Sequence, residues 1–474
     1  MADDHLTEAL KKYFGLSYLF PYQRLAISNI LESINENSDP GIDRETLGGQ
    51  IVILPTGAGK SLCFQLPAIL IEGITLVIYP ILSLMADQQR RLDSHGLSPV
   101  TIRGAQTKEE RDDIWEKLES GKAKFIIANP EVLLTPQVKD KIRNLKVKHI
   151  VIDEAHCVSE WGESFRPSYL EIGSIIKNIN PQIVTAFTAT ASASVLEKIK
   201  KYVFDDSQVN IIMGNPDRPN ISYSAMGCIN RNLTVRDLLI NNKRPAIVFC
   251  SSRPGTEKLA HYLRNELEEM GHSWYKEIRF YHAGLNREEK TITEKWLLNN
   301  TEAVLCSTCA FGMGVDKADI RTIIHRDCPP SIEAYLQESG RAGRDSGQSK
   351  AVLLWGPDDN ETNAPLLKYA RDTVNCRRHS LLSMLDYTSD EVPETNCCDV
   401  CNNEASGELR EEHSVLDFFR RNKRRFTQTQ AASVLNASKN IRWSEEEASR
   451  VIGYLLKTKK LRRLAFPWKD RITL

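Results

Sequence analysis

The chain has 474 residues, more than one hydrophobic core accommodates, and at about 150 residues per domain the length predicts roughly three domains. Hydrophobic residues at 41% and charged residues at 26% give ample core and exclude a large disordered share. The formal net charge of zero hides an asymmetry: from Glu408 to Leu474 sixteen Lys and Arg face eight Asp and Glu, an excess of eight that suits a polyanion partner at one end.

The N-terminal stretch MADDHLTEALKKYFG has no apolar segment behind positive charge, so a secretory signal is not expected and a cytosolic or nuclear compartment follows. Residues 66–86, LPAILIEGITLVIYPILSLMA, have the length of a membrane span. Pro67, the Glu72-Gly73 pair and Pro80 divide them into a helix end, a turn and a strand. Eleven cysteines in a chain without an export signal predict reduced thiols, some of them metal-bound.

Short β-branched runs alternate with helical stretches through the first three quarters. They read QIVIL, ITLVIYP, KFIIANP, KHIVIDE and QIVTAFTAT, then AIVFC, IRFYHAG, AVLCST, RTIIHRD and AVLLWG. This is the rhythm of βαβ units and parallel sheets. The series divides at NPDRPNISYS (215–224), a turn-rich link, into two α/β domains of similar size. A third region begins after Gly356-Pro357, where cysteines cluster. A fourth, near Glu408, reads as three helices followed by short strands around RRLAFPWKDRITL, a pattern that fits a winged helix.

In chain order, the first chemical motif is LPTGAGKSLCF (54–64), between a strand and a helix. Thr56, Gly57, Ala58 and Gly59 would wrap backbone N–H groups around phosphate oxygens at a helix N-terminus. Lys60 would reach the outer phosphates and Ser61 would bind magnesium. Leu54 stands where the general pattern has its first glycine, so the match is to the TGxGKS form. The second motif is the strand-end pair in VIDEAHCVSEWGESFRPSY (151–169). Asp153 would hold magnesium, directly or through water, and Glu154 would orient the attacking water and accept its proton. The Gly, Ser, Pro and charged neighbours of Trp161 and Phe165 mark that segment as a loop, and exposed rings there would stack on the bases of a single strand. The second α/β domain carries STCAFGMGVD (307–316) and QESGRAGRD (337–345). Arg341 and Arg344 would neutralise charge on a transferring phosphoryl group if the two domains face each other, with Arg344 as the finger.

PTGAGKS, DEAH, FTATAS and QESGRAGRD, in this order, resemble superfamily 2 helicases, and HCVSEWGESFRPSYL resembles the aromatic-rich loop of the RecQ DNA helicases. Further similar pieces are LFPYQ (19–23), PILSLMADQ (80–88), ANPE (128–131), NPDRPN (215–220) and YHAGL (281–285). The resemblance implies an α/β fold of two tandem RecA-like parallel-sheet domains, 1–213 and 214–356, then a small helical zinc-binding region, 357–407, and a winged-helix domain, 408–474. It implies an ATP- and magnesium-dependent 3′–5′ DNA helicase. Gln23, Gly314, Asp316 and Gln337 would join the ATP site, and His156, Trp161, Phe165, Arg166, Thr188 and Thr190 would bind DNA or couple it to hydrolysis. An RNA helicase is the competing reading, since the core motifs are shared.

Two departures stand out: Phe20 and Tyr22 occupy places where the family has arginine and glycine, and Glu163-Ser164 replaces His-Asp. The first predicts an aromatic under the adenine. The resemblance also implies a zinc site of one helical cysteine and three on a following loop: Cys376, Cys397, Cys398 and Cys401, with His379 as the alternative to Cys397. In the basic end, Phe466 and Trp468 would tip a hairpin that wedges a duplex. The implied partners are single-stranded and forked or tailed DNA, acted on by a monomer in bacterial cytoplasm, or in a nucleus if the source is eukaryotic.

Overall fold

The computed structural model describes residues 2–36, 48–55, 58–161, 166–189, 192–309, 311, 317–357, 359, 364–385, 387, 397–437 and 443–474. The chain divides into two compact units, Met1–Asp217 with Met384–Tyr387, and Arg218–Ser383 with Thr388–Leu474. Among the described residues no helix is long and apolar enough to cross a membrane.

The first unit is built on a seven-stranded sheet of β1 (Gly48–Ile53), β2 (Ile74–Ile78), β3 (Val100–Ile102), β4 (Phe125–Ala128), β5 (Val147–Ile152), β6 (Ile183–Thr188) and β7 (Asn210–Met213). Their order is β3-β4-β2-β5-β6-β1-β7, and every pairing is parallel. All five residues of β2 are buried, as in a sheet covered on both faces, which is why its sequence runs apolar without alternation. Ile126, Ile150 and Ala186 carry the core across β4, β5 and β6. Residues 66–86 resolve as expected into the end of the helix Lys60–Leu70, a turn, β2 and the start of the helix Leu82–Ser94.

The second unit has a six-stranded parallel sheet of β8 (Ile221–Gly227), β9 (Ala246–Phe249), β10 (Ile278–Tyr281), β11 (Val304–Ser307), β12 (Thr322–His325) and β13 (Ser349–Trp355), in the order β10-β11-β9-β12-β13-β8. Here the expected link gives way: ISYS, taken with the turn residues before it, is the first half of β8. Its register on β13 runs from Ile221 opposite Ser349 to Gly227 opposite Trp355. Alternate serines had hidden it, because Ser224 is buried inside the sheet while still polar.

Beyond β13 the chain returns to β8. Tyr223 bridges to Cys398 and Gly227 to Leu409, so residues 397–409 border the sheet's edge strand. The buried Glu411 carboxylate then accepts the N–H groups of Ile229 and Asn230 at 2.8 and 3.1 Å. The C-terminal end consists of three helices, Glu412–Arg421, Gln428–Asn436 and Glu445–Lys457, and an antiparallel pair, β14 (Arg462–Arg463) with β15 (Ile472–Thr473). Thr427 and Ser444 open the last two helices through reciprocal capping boxes with Gln430 and Glu447. Val415, Phe419, Leu435, Val451, Leu455 and Ile472 are buried.

Candidate active site

In the first unit the strand order sets β5, β6 and β1 side by side, so the segments leaving their carboxyl ends converge on one edge, where open parallel sheets bind ligands. β1 delivers the phosphate loop. Gly59 adopts a left-handed φ of 76° and caps the helix that Lys60 begins. A Cβ at Gly59 would stand 2.5 Å from Gln23 Nε2. Gln23 is buried, donates to Ala58 O at 2.9 Å and accepts from Phe20 N at 2.9 Å, tying LFPYQ to the loop. Its amide is therefore engaged with the protein itself. Phe20 is 51% exposed and stacks on Tyr22 with centroids 5.5 Å apart and planes 11° from parallel.

β5 delivers the carboxylates. Asp153 N donates to Ile78 O at 3.0 Å, extending the ladder by one residue, and Glu154 turns out with a φ of 51°. That left-handed conformation is uncommon for a residue with a side chain, and it lets Glu154 N donate to Asp153 Oδ1 at 2.9 Å. Burial, and then the neighbouring Glu154 charge, push the Asp153 carboxyl up to about 7, against the pull of Lys60. Lys60 Nζ lies 3.6 Å from Glu154 Oε1, and His156 Nδ1 lies 3.5 Å from Glu154 Oε2. His156 also bonds Thr188 Oγ1 at 3.1 Å through Nδ1. Glu154, His156 and Thr188 thus form a contiguous path from the phosphate corner to the end of β6. Two carboxylates drawn from water beside one ammonium make a pocket that gains from a divalent cation, so the donor set fits magnesium.

Past His156, short helical pieces flank the expected loop, whose residues 162–165 lie outside the described residues. Cys157–Trp161 is a short helix and Pro167–Glu171 a 3-10 helix, because Cys157, Val158 and Tyr169 are pulled into the core. Trp161 ends the first of these, and its side chain is outside the described residues, as are Thr56, Gly57, Phe165, Thr190, Gly314 and Asp316 and the Glu163-Ser164 departure. Arg166 is described. It donates to Pro80 O and stands 3.7 Å from Glu131, so its described contacts are with its own unit.

In the second unit Gln337 lies half-buried on the helix Ile332–Ser339, and residues 340–345 follow as successive turns. Arg341 is buried and Arg344 half-buried. Arg218 donates from Nη1 to Gly340 O at 2.9 Å and from Nη2 to Ala342 O and Gly343 O at 2.9 and 3.0 Å. Asn220 Nδ2 donates to Gly343 O at 2.8 Å and to Gly347 O at 3.0 Å. Burial, and less strongly the charge of Arg344, lower the pKa of Arg218. Gly343 has a φ of 54°, and a Cβ there would meet Gly347 O at 2.4 Å. Arg321 holds Asp345 bidentately and keeps that carboxyl down at about 2. Sequence reading missed Arg218 and Asn220 as functional candidates. NPDRPN stood out as a family-like string, but nothing local shows that its side chains serve carbonyls more than 100 residues away.

The cysteines form a second site. The Sγ atoms of Cys376, Cys397, Cys398 and Cys401 all lie within 4.8 Å of one another, with Cys376 at 3.6 Å from Cys397 and 3.9 Å from Cys398. Four thiolates at about 2.3 Å from a tetrahedral zinc would stand roughly 3.8 Å apart, so the set fits that ion. His379 is not in the group, and Cys376 immediately precedes the helix Arg377–Ser383 instead of riding on it. Hydrogen bonding from Cys397 lowers the Cys398 thiol to about 4, helped by the N–H groups of Cys401 and Arg377, while Cys397 rises in response. Beside the cluster, buried Arg377 pairs with Asp399 at 2.7 Å, and Asp399 also accepts Ala225 N of β8 at 2.9 Å.

Comparison with known proteins covers both units. Residues 20–199 match the DEAD/DEAH box helicase family and residues 230–346 the helicase conserved C-terminal domain. ATP-dependent DNA helicase RecQ of Pasteurella multocida is 36% identical over 330 residues, which are 69% of this chain and 51% of that protein, so the chain spans about half the length of that relative. The probable ATP-dependent DNA helicase RecS of Bacillus subtilis is 34% identical over 367 residues, 77% of this chain and 69% of its own. ATP-dependent DNA helicase RecQ of Bacillus subtilis is 32% identical over 409 residues, 82% and 68%. Among solved structures, the DUF1998 helicase MrfA bound to DNA aligns with a TM-score of 0.60 at 19% identity, covering 99% of this chain and 62% of that one. The DEAD-box helicase Mss116 bound to single-stranded RNA aligns at 0.59 and 17% identity, covering 92% and 86%. At such identities the likeness is one of fold.

Proposed function

The chain belongs to the RecQ family of ATP-dependent DNA helicases, and from that membership we propose that it couples ATP hydrolysis to 3′–5′ movement along single-stranded DNA and to duplex unwinding in recombination and repair. The observation that carries the reading is the corner at the carboxyl ends of β1 and β5, where Lys60 stands 3.6 Å from Glu154 beside buried Asp153.

Lys60 and the loop Thr56–Ser61 bind the phosphates of ATP, with Gln23 and the Phe20–Tyr22 stack serving adenine. Ser61 and Asp153 would hold magnesium, which supplies positive charge to the phosphate oxygens. Glu154 orients the attacking water and takes its proton. Gly314, Asp316 and Gln337 complete nucleotide binding, and Arg341 and Arg344 neutralise charge that develops on the transferring phosphoryl group. Trp161 and Phe165 stack on bases, each worth roughly 1–3 kcal/mol. Arg166, Thr188 and Thr190 join them, and the His156–Thr188–Glu154 contacts carry the signal to the water-activating carboxylate.

Cys376, Cys397, Cys398 and Cys401 would hold zinc, whose role is to staple the region 357–407 to β8. The terminal region 408–474 acts as a winged helix. Phe466, 92% exposed, and Trp468, capped by Arg424 at 4.8 Å, present its hairpin to a duplex end. Domains 1–213 and 214–356 form the motor, working as a monomer in the cytoplasm.

The test is ATP turnover against single-stranded DNA or RNA, followed by strand displacement on 3′-tailed, 5′-tailed and blunt duplexes. Stimulation by DNA over RNA and displacement from 3′ tails are expected; turnover indifferent to both polymers would sink the reading. Trp161→Ala is expected to keep basal hydrolysis while losing most of the DNA stimulation, read from turnover against oligonucleotide concentration.

A further inference from the structure

Arg218 and Asn220 occupy the last strand-free residues before β8, in NPDRPN, and they hold the turn bearing Arg341 and Arg344 by its main chain. Arg218 alone donates to three carbonyls, those of Gly340, Ala342 and Gly343, which bracket Arg341 and immediately precede Arg344. Asn220 doubles the contact at Gly343 O and adds Gly347 O, closing the turn from its far side. A planar guanidinium has its N–H groups in a rigid fork, so three acceptors fix the turn's position and tilt together. An ammonium is a point charge and holds no such orientation. Other bonds also tie the turn: Gly343 N donates to Ile320 O at 2.9 Å, Ser349 Oγ donates to Gly347 O at 3.0 Å, and Arg321 pairs with Asp345 at 2.9 Å.

We propose that Arg218, assisted by Asn220, is a positioning residue for hydrolysis: it sets where Arg341 and Arg344 stand without itself touching ATP. The inference rests on the ATPase reading above. Groups that stabilise a transition state depend on placement, and an error of about 1 Å costs on the order of 100-fold. The loss therefore falls on turnover and not on ground-state binding.

The experiment uses the full chain with saturating single-stranded DNA. Arg218→Ala and Arg218→Lys are compared with wild type for kcat, for KM of ATP, and for affinity towards ADP alone and ADP with aluminium fluoride. Arg218→Ala is expected to lower kcat 10- to 100-fold, on the order set by misplacement, with KM within about twofold. It should weaken aluminium-fluoride binding in proportion and leave ADP affinity unchanged. Arg218→Lys is expected to recover little, and millimolar guanidinium should restore part of the Ala variant's turnover where ethylammonium does not. Asn220→Ala, which leaves the Arg218 contacts in place, serves if Arg218→Ala does not fold, and should show the same split at smaller amplitude. A wild-type kcat in these variants, or equal losses for ADP and the fluoride complex, would overturn the positioning role. A wild-type chain that hydrolyses no ATP would instead overturn the underlying reading.

Discussion

In the first unit, Lys60 and His156 approach Glu154 at 3.6 and 3.5 Å beside buried Asp153, a charged corner that a bound cation and nucleotide would settle. In the second, the turn of Arg341 and Arg344 is held by main-chain carbonyls that accept from Arg218 and Asn220, while Asp345 is locked by Arg321. One region is electrostatically unfinished: burial and the neighbouring Glu154 charge push Asp153 up to about 7 against the pull of Lys60. The other is geometrically closed, with Asp345 held down at about 2 by its partner. The difference teaches where each pays for function. The phosphate corner keeps poorly compensated charge that a bound cation and nucleotide would relieve, and the arginine turn spends side chains on shape.

Three substitutions break or sharpen this contrast. Lys60→Ala removes the ammonium 3.6 Å from Glu154 and is expected to reduce ATP turnover by about 1000-fold or more while leaving single-strand affinity nearly intact, since phosphate charge is stabilised there and not on DNA. A steady-state assay with a parallel binding titration checks both halves, and normal turnover would mean that the corner is not the hydrolytic site. Gly343→Ala attacks shape alone. Its Cβ would press 2.4 Å from a backbone oxygen at a left-handed φ, so turnover should fall roughly 100-fold with KM little changed, and the unfolding free energy should drop by about 1–3 kcal/mol. Denaturant melts and kinetics on the same preparation separate the two losses.

Asp153→Asn is the subtlest. A carboxyl whose pKa rises on folding stabilises the fold only while it is protonated, so its contribution is present below about pH 4 and is lost as pH climbs to about 7. The amide mimics the neutral form and keeps an oxygen for Glu154 N. The nucleotide-free variant should therefore be more stable than wild type at pH 8, by up to about 4 kcal/mol at about 1.4 kcal/mol per pK unit. It should also lose turnover. Melting temperatures between pH 5 and 8 give the answer: wild type should lose stability over that range relative to the variant, and parallel curves would show that Asp153 is already ionised at no cost.

The legible parts of this molecule were those written locally. The phosphate loop and the Asp153–Glu154 pair each follow an apolar strand within a few residues, so spacing alone located them, and the structure sets both at one sheet edge. β3, β7 and β8 escaped, each for a local reason. Val100–Ile102 has only three residues, three of four residues in Asn210–Met213 are exposed, and buried serine interrupts the apolar run in Ile221–Gly227. The helical pieces Cys157–Trp161 and Pro167–Glu171 on either side of the expected loop went unread because each is below the length at which helical periodicity shows.

By itself the amino-acid sequence determined two parallel α/β units, the phosphate-binding and carboxylate motifs, and a cysteine group of limited choice, since each depends on residue types a turn or a strand apart. Only the tertiary structure decided that Cys397 and not His379 stands with the other three thiols, that residues 397–409 border β8, and that Arg218 and Asn220 grip the arginine turn. The physical reason is common to all three. A main-chain carbonyl exists at every residue, and a distance between thiols depends on the path of the backbone, so neither leaves a mark in the order of side chains until the chain has folded.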